Sequence, residues 1–232
     1  MPDLNEVILT ARERPADHPS IVAGRRFTGP NKWPNETLVP GYRETLLEYY
    51  AVMEAFGYKM LPVYARALGL PADYFEPFFI DPTWTTRNAH YPPAQAEDNQ
   101  FGIAPHRDHG FITLLPLSDE PGLQVQSRSG KWISANIIED AIAVNTGEFL
   151  NRWSNGRFMA TPHRVVPPKR DRYSLAFFFN PTWDVVSEPF PTCVGPDNPP
   201  QFEPGTFLDY LNWYVDSNFS SAGGGKRQHA SV

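Results

Sequence analysis

Between residues 85 and 179 the chain reads as a series of short apolar segments, each rich in β-branched or aromatic residues and bounded by turn-forming residues. Such segments are typical of strands in an antiparallel sheet. Proline, which is poorly tolerated inside helices and central strands, accounts for 25 of the 232 residues, about twice its usual share. The pattern predicts a mostly β fold with flanking helices, as in a barrel or sandwich of short elements. The predicted strands are TTRNAHY (85–91), FITLLPL (111–117), GLQVQ (122–126), KWISANI (131–137), AIAVNTG (141–147), HRVVP (163–167) and RYSLAFFF (172–179).

Helical patterns flank the strand-rich region. From Tyr42 to Gly69, apolar residues recur at steps of three and four, which predicts a helix that Pro62 should kink or split. Residues 1–40 are expected to be irregular because Pro, Gly and Asn are frequent there, and the tail 221–232 is expected to be disordered. Shorter helices are expected over residues 71–79, 148–156 and 205–219.

The composition argues against several classes of protein. Hydrophobic residues make up 41% of the chain, which suits a globular domain, and no apolar run reaches the ~18 residues of a membrane-spanning helix. The first residues carry charges and prolines where a signal peptide needs an apolar stretch. A net charge of −6 argues against nucleic acid as a partner, and Cys193, the single cysteine, excludes an intrachain disulfide. These features predict a cytoplasmic protein that binds neither membranes nor nucleic acid.

The segment APHRDHGFITLL (104–115) places two histidines and an aspartate within four residues. On an extended strand, His106 and Asp108 would point to one face and Arg107 to the other. His163 begins a later strand segment, and the three residues together form the ligand set of a facial triad, which marks non-heme Fe(II) oxygenases. Two neutral imidazoles and one carboxylate would leave the bound Fe(II) positively charged, so that it could attract an anionic cosubstrate.

The same residues allow other interpretations. His106 and Asp108 could form a buried hydrogen-bonded pair without a metal, although His163 and the Arg-x-Ser element described next would then be coincidental. His109 is a possible third ligand, but strand alternation directs it away from His106. We therefore expect His109 to line the wall of the pocket.

An Arg-x-Ser element follows His163 at Arg172 to Ser174. Alternation puts both side chains on one face of a strand, where a guanidinium and a hydroxyl can bind a carboxylate. A second copy, Arg152 to Ser154, falls in a predicted helix, where residues i and i+2 do not share a face. The first copy is therefore the candidate binding site, and we expect the second to be structural.

Taken together, these segments resemble the isopenicillin-N-synthase-like branch of the Fe(II)/2-oxoglutarate-dependent oxygenases. The resemblance runs from NEVILTARERPADHP to VDSNF, and its motifs follow the usual order of the family. They are GPNKWP…GYRETLLEYY, ALGLPADYF, HYPP, HRDHGFITLL, GLQVQ, NTGEFLNRWSNGRF…TPHRVV and RYSLAFFF.

The fold implied by the resemblance is a distorted double-stranded β-helix, or jelly roll, flanked by helices. Residues 1–220 would form a single oxygenase domain. Within it the jelly-roll core would cover residues 84–187, with a helical segment at 41–80 and a closing helix at 205–219.

The resemblance also implies a site and a reaction. Three residues would bind Fe(II): His106, Asp108 and His163. Three residues would bind the cosubstrate 2-oxoglutarate: Arg172, Ser174 and, in the HYPP motif, Tyr91. The implied reaction uses O2 to hydroxylate, desaturate or cyclise a small organic substrate, with release of succinate and CO2.

The chain departs from the family pattern in two places. Many members carry Asn two residues before the tyrosine, where this chain has Ala89, which removes one hydrogen bond to the cosubstrate. Members also usually carry strands and a helix ahead of the point where this chain begins. Without them a strand edge and the apolar face of helix 42–69 would be exposed, and residues 5–40 would make a poor strand to cover them. We therefore expect a homodimer or a more open pocket.

Two alternative functions remain open. An oxidase like isopenicillin N synthase or the ethylene-forming aminocyclopropane-carboxylate oxidases would use the Arg-x-Ser element on a different carboxylate or anion, and would form no succinate. A non-catalytic homologue would bind or stabilise a partner, although such a protein would have no reason to keep all three metal ligands.

Overall fold

The computed structural model describes residues 2–219, which form nine strands and four α-helices. The strands are β1 (Glu6–Ala11), β2 (Thr85–Tyr91), β3 (Ile103–His106), β4 (Ile112–Pro116), β5 (Leu123–Gln126), β6 (Trp132–Ser134), β7 (Ile142–Thr146), β8 (His163–Val165) and β9 (Arg172–Phe179). The helices are α1 (Pro19–Val22), α2 (Tyr42–Ala67), α3 (Glu148–Trp153) and α4 (Phe207–Phe219). Short 3-10 turns lie at Glu76–Phe78 and Pro191–Cys193.

The strands form two antiparallel sheets. The main sheet has five strands in the order β1-β2-β9-β4-β7, and the minor sheet has four in the order β3-β8-β5-β6. A small apolar cluster lies between the sheets, with Ala89 and Tyr91 from the main sheet and Ile103 and Val165 from the minor sheet. Because strands that are distant in the sequence alternate across both sheets, the arrangement is a double-stranded β-helix. The predicted jelly roll with flanking helices is therefore confirmed.

The largest apolar core packs helix α2 against the outer face of the main sheet. Gly57 of α2 lies directly over Phe179 of β9, and a β-carbon at that position would meet the phenyl ring at 2.8 Å. The Tyr50 hydroxyl receives hydrogen bonds from Thr10 Oγ1 at 2.8 Å and from Asn88 Nδ2 at 2.9 Å. The helix therefore ties β1 and β2 together from outside and leaves the opposite face of the sheet to the site.

The prediction that residues 1–40 are irregular was wrong at β1. This strand pairs with β2 in continuous register, from Glu6 opposite His90 to Ala11 opposite Thr85. Its sequence, EVILTA, contains no Pro or Gly, although the flanking residues are rich in turn formers. Its backbone can therefore form hydrogen bonds with the edge of β2. The expectation that this stretch makes a poor strand was wrong for the same reason.

One of the two outcomes predicted for Pro62, a split helix, was wrong, and so was one predicted short helix. Pro62 does not split α2, which runs without interruption from Tyr42 to Ala67. The proline removes one backbone hydrogen bond, and the burial of Leu61 and Ala65 on either side of it holds the helix against the core. The predicted helix over residues 71–79 is only a 3-10 turn at Glu76–Phe78, and Pro77 has no N–H to donate to an α-helical i−4 carbonyl.

The remaining predicted elements are present. All seven predicted strands form, and β2 and β9 have the predicted bounds. The helices expected over 148–156 and 205–219 appear as α3 and α4. The predicted disordered tail, 221–232, lies outside the described residues. In the part of the chain that the structure describes, no helix combines the length and apolar character needed to cross a membrane.

Candidate metal centre

His106, Asp108 and His163 meet at one end of the two facing sheets. His106 ends β3 and His163 begins β8, and the two residues are direct partners in the β3–β8 register. Asp108 Oδ1 lies 3.9 Å from His106 Nε2 and 3.6 Å from His163 Nε2. One ligand atom from each residue can be chosen so that all three lie within 4.8 Å of one another. This spacing suits a single transition-metal ion bound by two imidazoles and one carboxylate.

Asp108 reaches the two histidines in a different way from the one the sequence predicts. Strand β3 ends at His106, so Asp108 lies in the loop that follows and not on the strand. The expectation that strand alternation would align the two side chains was therefore wrong in its reasoning, although the residues do converge. The loop turns the carboxylate back towards the strand ends.

Two glycines and the start of α3 hold that loop in place. The backbone N–H of Glu148 donates to the Asp108 carbonyl at 2.8 Å, so the loop lies against the first turn of α3. A β-carbon at Gly147 would lie 2.1 Å from the Gly110 carbonyl oxygen. A β-carbon at Gly110 would in turn clash with the side chain of Asn180. The close contact therefore requires glycine at both positions.

Two polar side chains of the main sheet orient the Asp108 carboxylate. Thr113 Oγ1 and Asn145 Nδ2 both donate to Oδ2, at 2.7 and 2.8 Å, which leaves Oδ1 directed towards the histidines. Burial alone would raise the pKa of Asp108, but His163, His106 and these two hydrogen bonds outweigh it and hold that pKa below its usual range. The carboxylate is therefore charged and pre-oriented as a ligand.

Backbone carbonyls fix the tautomer of both histidines. His106 Nδ1 lies 2.8 Å from the Ala104 carbonyl and His163 Nδ1 lies 3.0 Å from the Thr161 carbonyl. Because a carbonyl can only accept, each Nδ1 must carry the proton and each Nε2 presents its lone pair to the site. Burial, followed by the charge of His163, lowers the pKa of His106, which favours the neutral, metal-binding form.

Arg172 lies on the inner face of the main sheet with an unsatisfied donor. It is directly opposite Tyr91 in the β2–β9 register, and its guanidinium carbon lies 5.1 Å from the centre of the Tyr91 ring. Arg172 Nε donates to the Glu120 carbonyl at 3.2 Å, whereas Nη1 is buried and has no partner among residues 2–219. Ser174 follows on the same face and is half-buried. A buried guanidinium N–H without an acceptor fits a carboxylate ligand, which accepts such donors strongly.

The other sequence candidates lie elsewhere. His109 does not belong to the three-residue cluster, and its ring stacks on Tyr214 at 4.6 Å and on Phe178 at 6.2 Å. Its place in the pocket wall stays a prediction. In the second Arg-x-Ser copy, Arg152 lies over the rings of Phe202 and Tyr210. Its partner serine, Ser154, is fully buried and bonded to nearby backbone.

Sequence reasoning missed Thr113 and Asn145. Each is a polar residue inside an apolar strand segment, FITLLPL or AIAVNTG, and that break in the pattern is the signal that marks them. They are opposite each other in the β4–β7 register, which brings both to one carboxylate oxygen.

Comparison with known proteins agrees with this geometry. Residues 83–181 match the family model of the 2OG-Fe(II) oxygenase superfamily. A 2-oxoglutarate-Fe(II) type oxidoreductase, hxnY, from Emericella nidulans is 33% identical over 237 residues, covering 99% of this chain and 67% of that protein. The crystal structure of a full-length Neurospora crassa protein in complex with alpha-KG and thymine superposes with a TM-score of 0.82 at 31% identity, covering 94% of this chain and 66% of that one.

A putative 2OG-Fe(II) oxygenase family protein from Caulobacter crescentus is equally similar in structure, with a TM-score of 0.82, 30% identity, and coverage of 92% of this chain and 69% of its own. A double-stranded β-helix that carries a cluster of two histidines and one carboxylate is typical of non-heme iron oxygenases. The chain belongs to the 2OG-Fe(II) oxygenase superfamily. It spans 60–67% of the length of three curated relatives that it matches.

Proposed function

We propose that the protein is an Fe(II)- and 2-oxoglutarate-dependent oxygenase that oxidises a small organic substrate and releases succinate and CO2. The observation that carries the proposal is the convergence of His106, Asp108 and His163 within 4.8 Å, together with the buried, unpaired Arg172 donor on the inner face of the main sheet. A metal-binding cluster and a separate carboxylate receptor match a dicarboxylate that also chelates iron.

The three triad residues would hold the iron. The fit rests on the chemistry of the donor set: two Nε2 lone pairs and one charged carboxylate, each oriented by a hydrogen bond from its other side. Iron bound there supplies the activation of dioxygen that oxidises both the 2-oxo acid and the substrate. The role of Thr113 and Asn145 is to keep Asp108 Oδ1 directed at that position.

Arg172, Ser174 and Tyr91 would bind the cosubstrate. The Arg172 guanidinium would form a charge-assisted contact with the distal carboxylate, and the Ser174 hydroxyl would add a second hydrogen bond. The Tyr91 ring packs against the Arg172 guanidinium and helps to fix its position. Because residue 89 is Ala, no side-chain hydrogen bond reaches the cosubstrate from that position.

Succinate formation separates this proposal from its alternatives. The protein, loaded anaerobically with Fe(II) and 2-oxoglutarate and then exposed to air with a panel of small organic molecules, should release succinate. An oxidase of the isopenicillin-N-synthase type would consume O2 without succinate. A non-catalytic homologue would consume neither O2 nor 2-oxoglutarate, and either result would refute the proposal.

We also infer a homodimer and a cytoplasmic location. Three large apolar side chains are well exposed on β1 and α2, namely Leu9 (70%), Val52 (66%) and Val63 (55%). A stable dimer that includes them would have to bury at least ~1,000 Å2 in total, the lower limit for a specific interface. A reducing location suits the single, buried Cys193. Light scattering on dilute protein tests the dimer, and a stable monomer of 26.3 kDa would contradict it.

A further inference from the structure

Strand β2 carries a second guanidinium on the inner face of the main sheet. Thr86 and Asn88 point outwards, where both reach the Tyr50 hydroxyl of α2. Strand alternation therefore turns Arg87 inwards, onto the face that also holds Tyr91. Arg87 is half-buried.

Arg87 contacts only neutral groups within residues 2–219. Its Nη1 donates to the Tyr91 hydroxyl at 3.1 Å and its Nη2 donates to Asn5 Oδ1 at 3.0 Å. Arg12 and Arg14, by comparison, both contact the carboxylate of Asp81. A guanidinium has five donors, so Arg87 keeps several of them, and its whole charge, for a ligand.

The register places Arg87 between the two ends of the site. It is opposite Ala176 of β9, whereas Tyr91 is opposite Arg172 at one end and Thr113 is opposite Phe178 at the other. Thr113 is the residue that binds Asp108. Arg87 is therefore displaced from the metal cluster by only two residues along β9, from Phe178 to Ala176.

The charges of the proposed complex leave Arg87 without a counter-ion. Fe(II) has two positive charges, Asp108 one negative, Arg172 one positive and 2-oxoglutarate two negative, so these groups together are neutral. Glu120, the nearby acid, is paired with Arg170 at 2.7 Å. A half-buried guanidinium without a counter-ion favours binding of an anion.

We infer that Arg87 binds a carboxylate of the primary substrate, so that the enzyme acts on small carboxylic acids. This inference rests on the proposed function, because it assumes that iron and Arg172 already account for both carboxylates of 2-oxoglutarate. The keto-acid carboxylate of 2-oxoglutarate is the other possible source of the same chemistry, and the experiment separates the two.

The test is anaerobic calorimetry on the protein loaded with Fe(II) and 2-oxoglutarate. The probes are benzoate, phenylacetate and indole-3-acetate, each compared with its own amide, and thymine as a neutral ring with carbonyl acceptors. The variants are Arg87→Met and Arg87→Lys. Arg107→Met is the control, because it removes the same charge beside His106 in the sequence, but its guanidinium faces the Ala160 carbonyl.

We expect at least one acid to bind the wild type at least ~10-fold more tightly than its amide, as one charge-assisted contact predicts. Arg87→Met should lose that preference and bind 2-oxoglutarate within ~2-fold of the wild type. Arg87→Lys should keep part of the preference, and Arg107→Met should keep all of it. Retained 2-oxoglutarate affinity also shows that each variant is folded.

Four results would overturn the inference. The first is that the amides or thymine bind as tightly as the acids, and the second is that no acid binds at millimolar concentration. The third is that Arg87→Met binds the acids as tightly as the wild type does. The fourth is that Arg87→Met lowers the affinity for 2-oxoglutarate itself. The last result would assign Arg87 to the cosubstrate. Binding of Fe(II) and 2-oxoglutarate to the wild type is measured before any acid is added. If either does not bind, the proposed function is refuted instead.

Discussion

Thr113 Oγ1 donates a 2.7 Å hydrogen bond to Asp108 Oδ2, a buried contact between the inner face of β4 and the loop after β3. It links the sheet that carries Arg172 to the cluster that would carry the metal. The direction of the Asp108 carboxylate is therefore set by the fold before any metal binds.

Thr113→Val should weaken Fe(II) binding by about 10–100-fold, because the variant keeps the shape of the side chain but loses the donor that orients Asp108. Anaerobic titration with Fe(II) measures the effect. Thr86→Val is the matched control, since it removes a buried threonine hydroxyl that bonds Thr10 and Tyr50 on the outer face. Equal losses in both variants would mean that Thr113 acts through stability alone.

Gly147→Ala should displace the Asp108 loop, since the added methyl would lie 2.1 Å from the Gly110 carbonyl oxygen. We expect a loss of about 1–3 kcal/mol in the free energy of unfolding, together with weaker Fe(II) binding. Denaturant unfolding and metal titration measure the two effects. Gly29→Ala, where nothing lies within 4 Å of the added carbon, should change neither. Wild-type behaviour of Gly147→Ala would contradict the close contact.

The two Arg-x-Ser copies should respond differently to mutation. Arg172→Ala should raise the 2-oxoglutarate concentration needed for half-maximal turnover at least ~10-fold, because it removes a charge-assisted contact. Arg152→Ala should leave that requirement unchanged and reduce thermal stability only, since Arg152 packs on Phe202 and Tyr210. The reverse pattern would show that the cosubstrate site is wrongly assigned.

His90 should make the attachment of β1 depend on pH. Its ring nitrogens hydrogen-bond to the carboxylates of Glu6, at 3.0 Å, and Asp171, at 2.7 Å, and these contacts raise the pKa of His90. A raised folded-state pKa means that the stabilisation is fully present below the ordinary histidine pKa of ~6.5 and is lost as pH rises through the folded value. NMR titration of His90 and amide exchange in β1 check this.

His90→Gln should abolish the pH dependence of β1 exchange without changing the other strands. An ordinary or lowered pKa for His90, or β1 exchange that does not vary with pH once the intrinsic rate is subtracted, would contradict the prediction.

Local patterns were enough to predict much of this fold. TTRNAHY and RYSLAFFF have clear strand composition and appear with unchanged bounds as β2 and β9. The pairing of Arg172 with Ser174 follows from alternation within one strand, so no tertiary information was needed. His163 was found through its motif, and its position beside His106 in the register agrees with that interpretation.

What the sequence could not predict depends on contacts between distant segments. β1 forms because all six of its residues pair with the edge of β2. α2 continues through Pro62 because the residues around the proline are buried. Asp108 reaches the histidines through a loop held by the Gly110–Gly147 contact, which no local period reveals. The inward direction of Arg87 and its lack of a counter-ion among residues 2–219 likewise depend on contacts with Tyr91 and Asn5.

Fe(II) binding tests whether the triad is a metal centre. In anaerobic titration, the wild-type protein should bind about one Fe(II) per chain, and His163→Ala and Asp108→Ala should each lose that binding, because two ligands do not complete the facial set. His18→Ala, which removes a histidine beside Asp81, should bind iron as the wild type does. Wild-type iron affinity in His163→Ala would contradict the assignment of the metal centre and, with it, the proposed function.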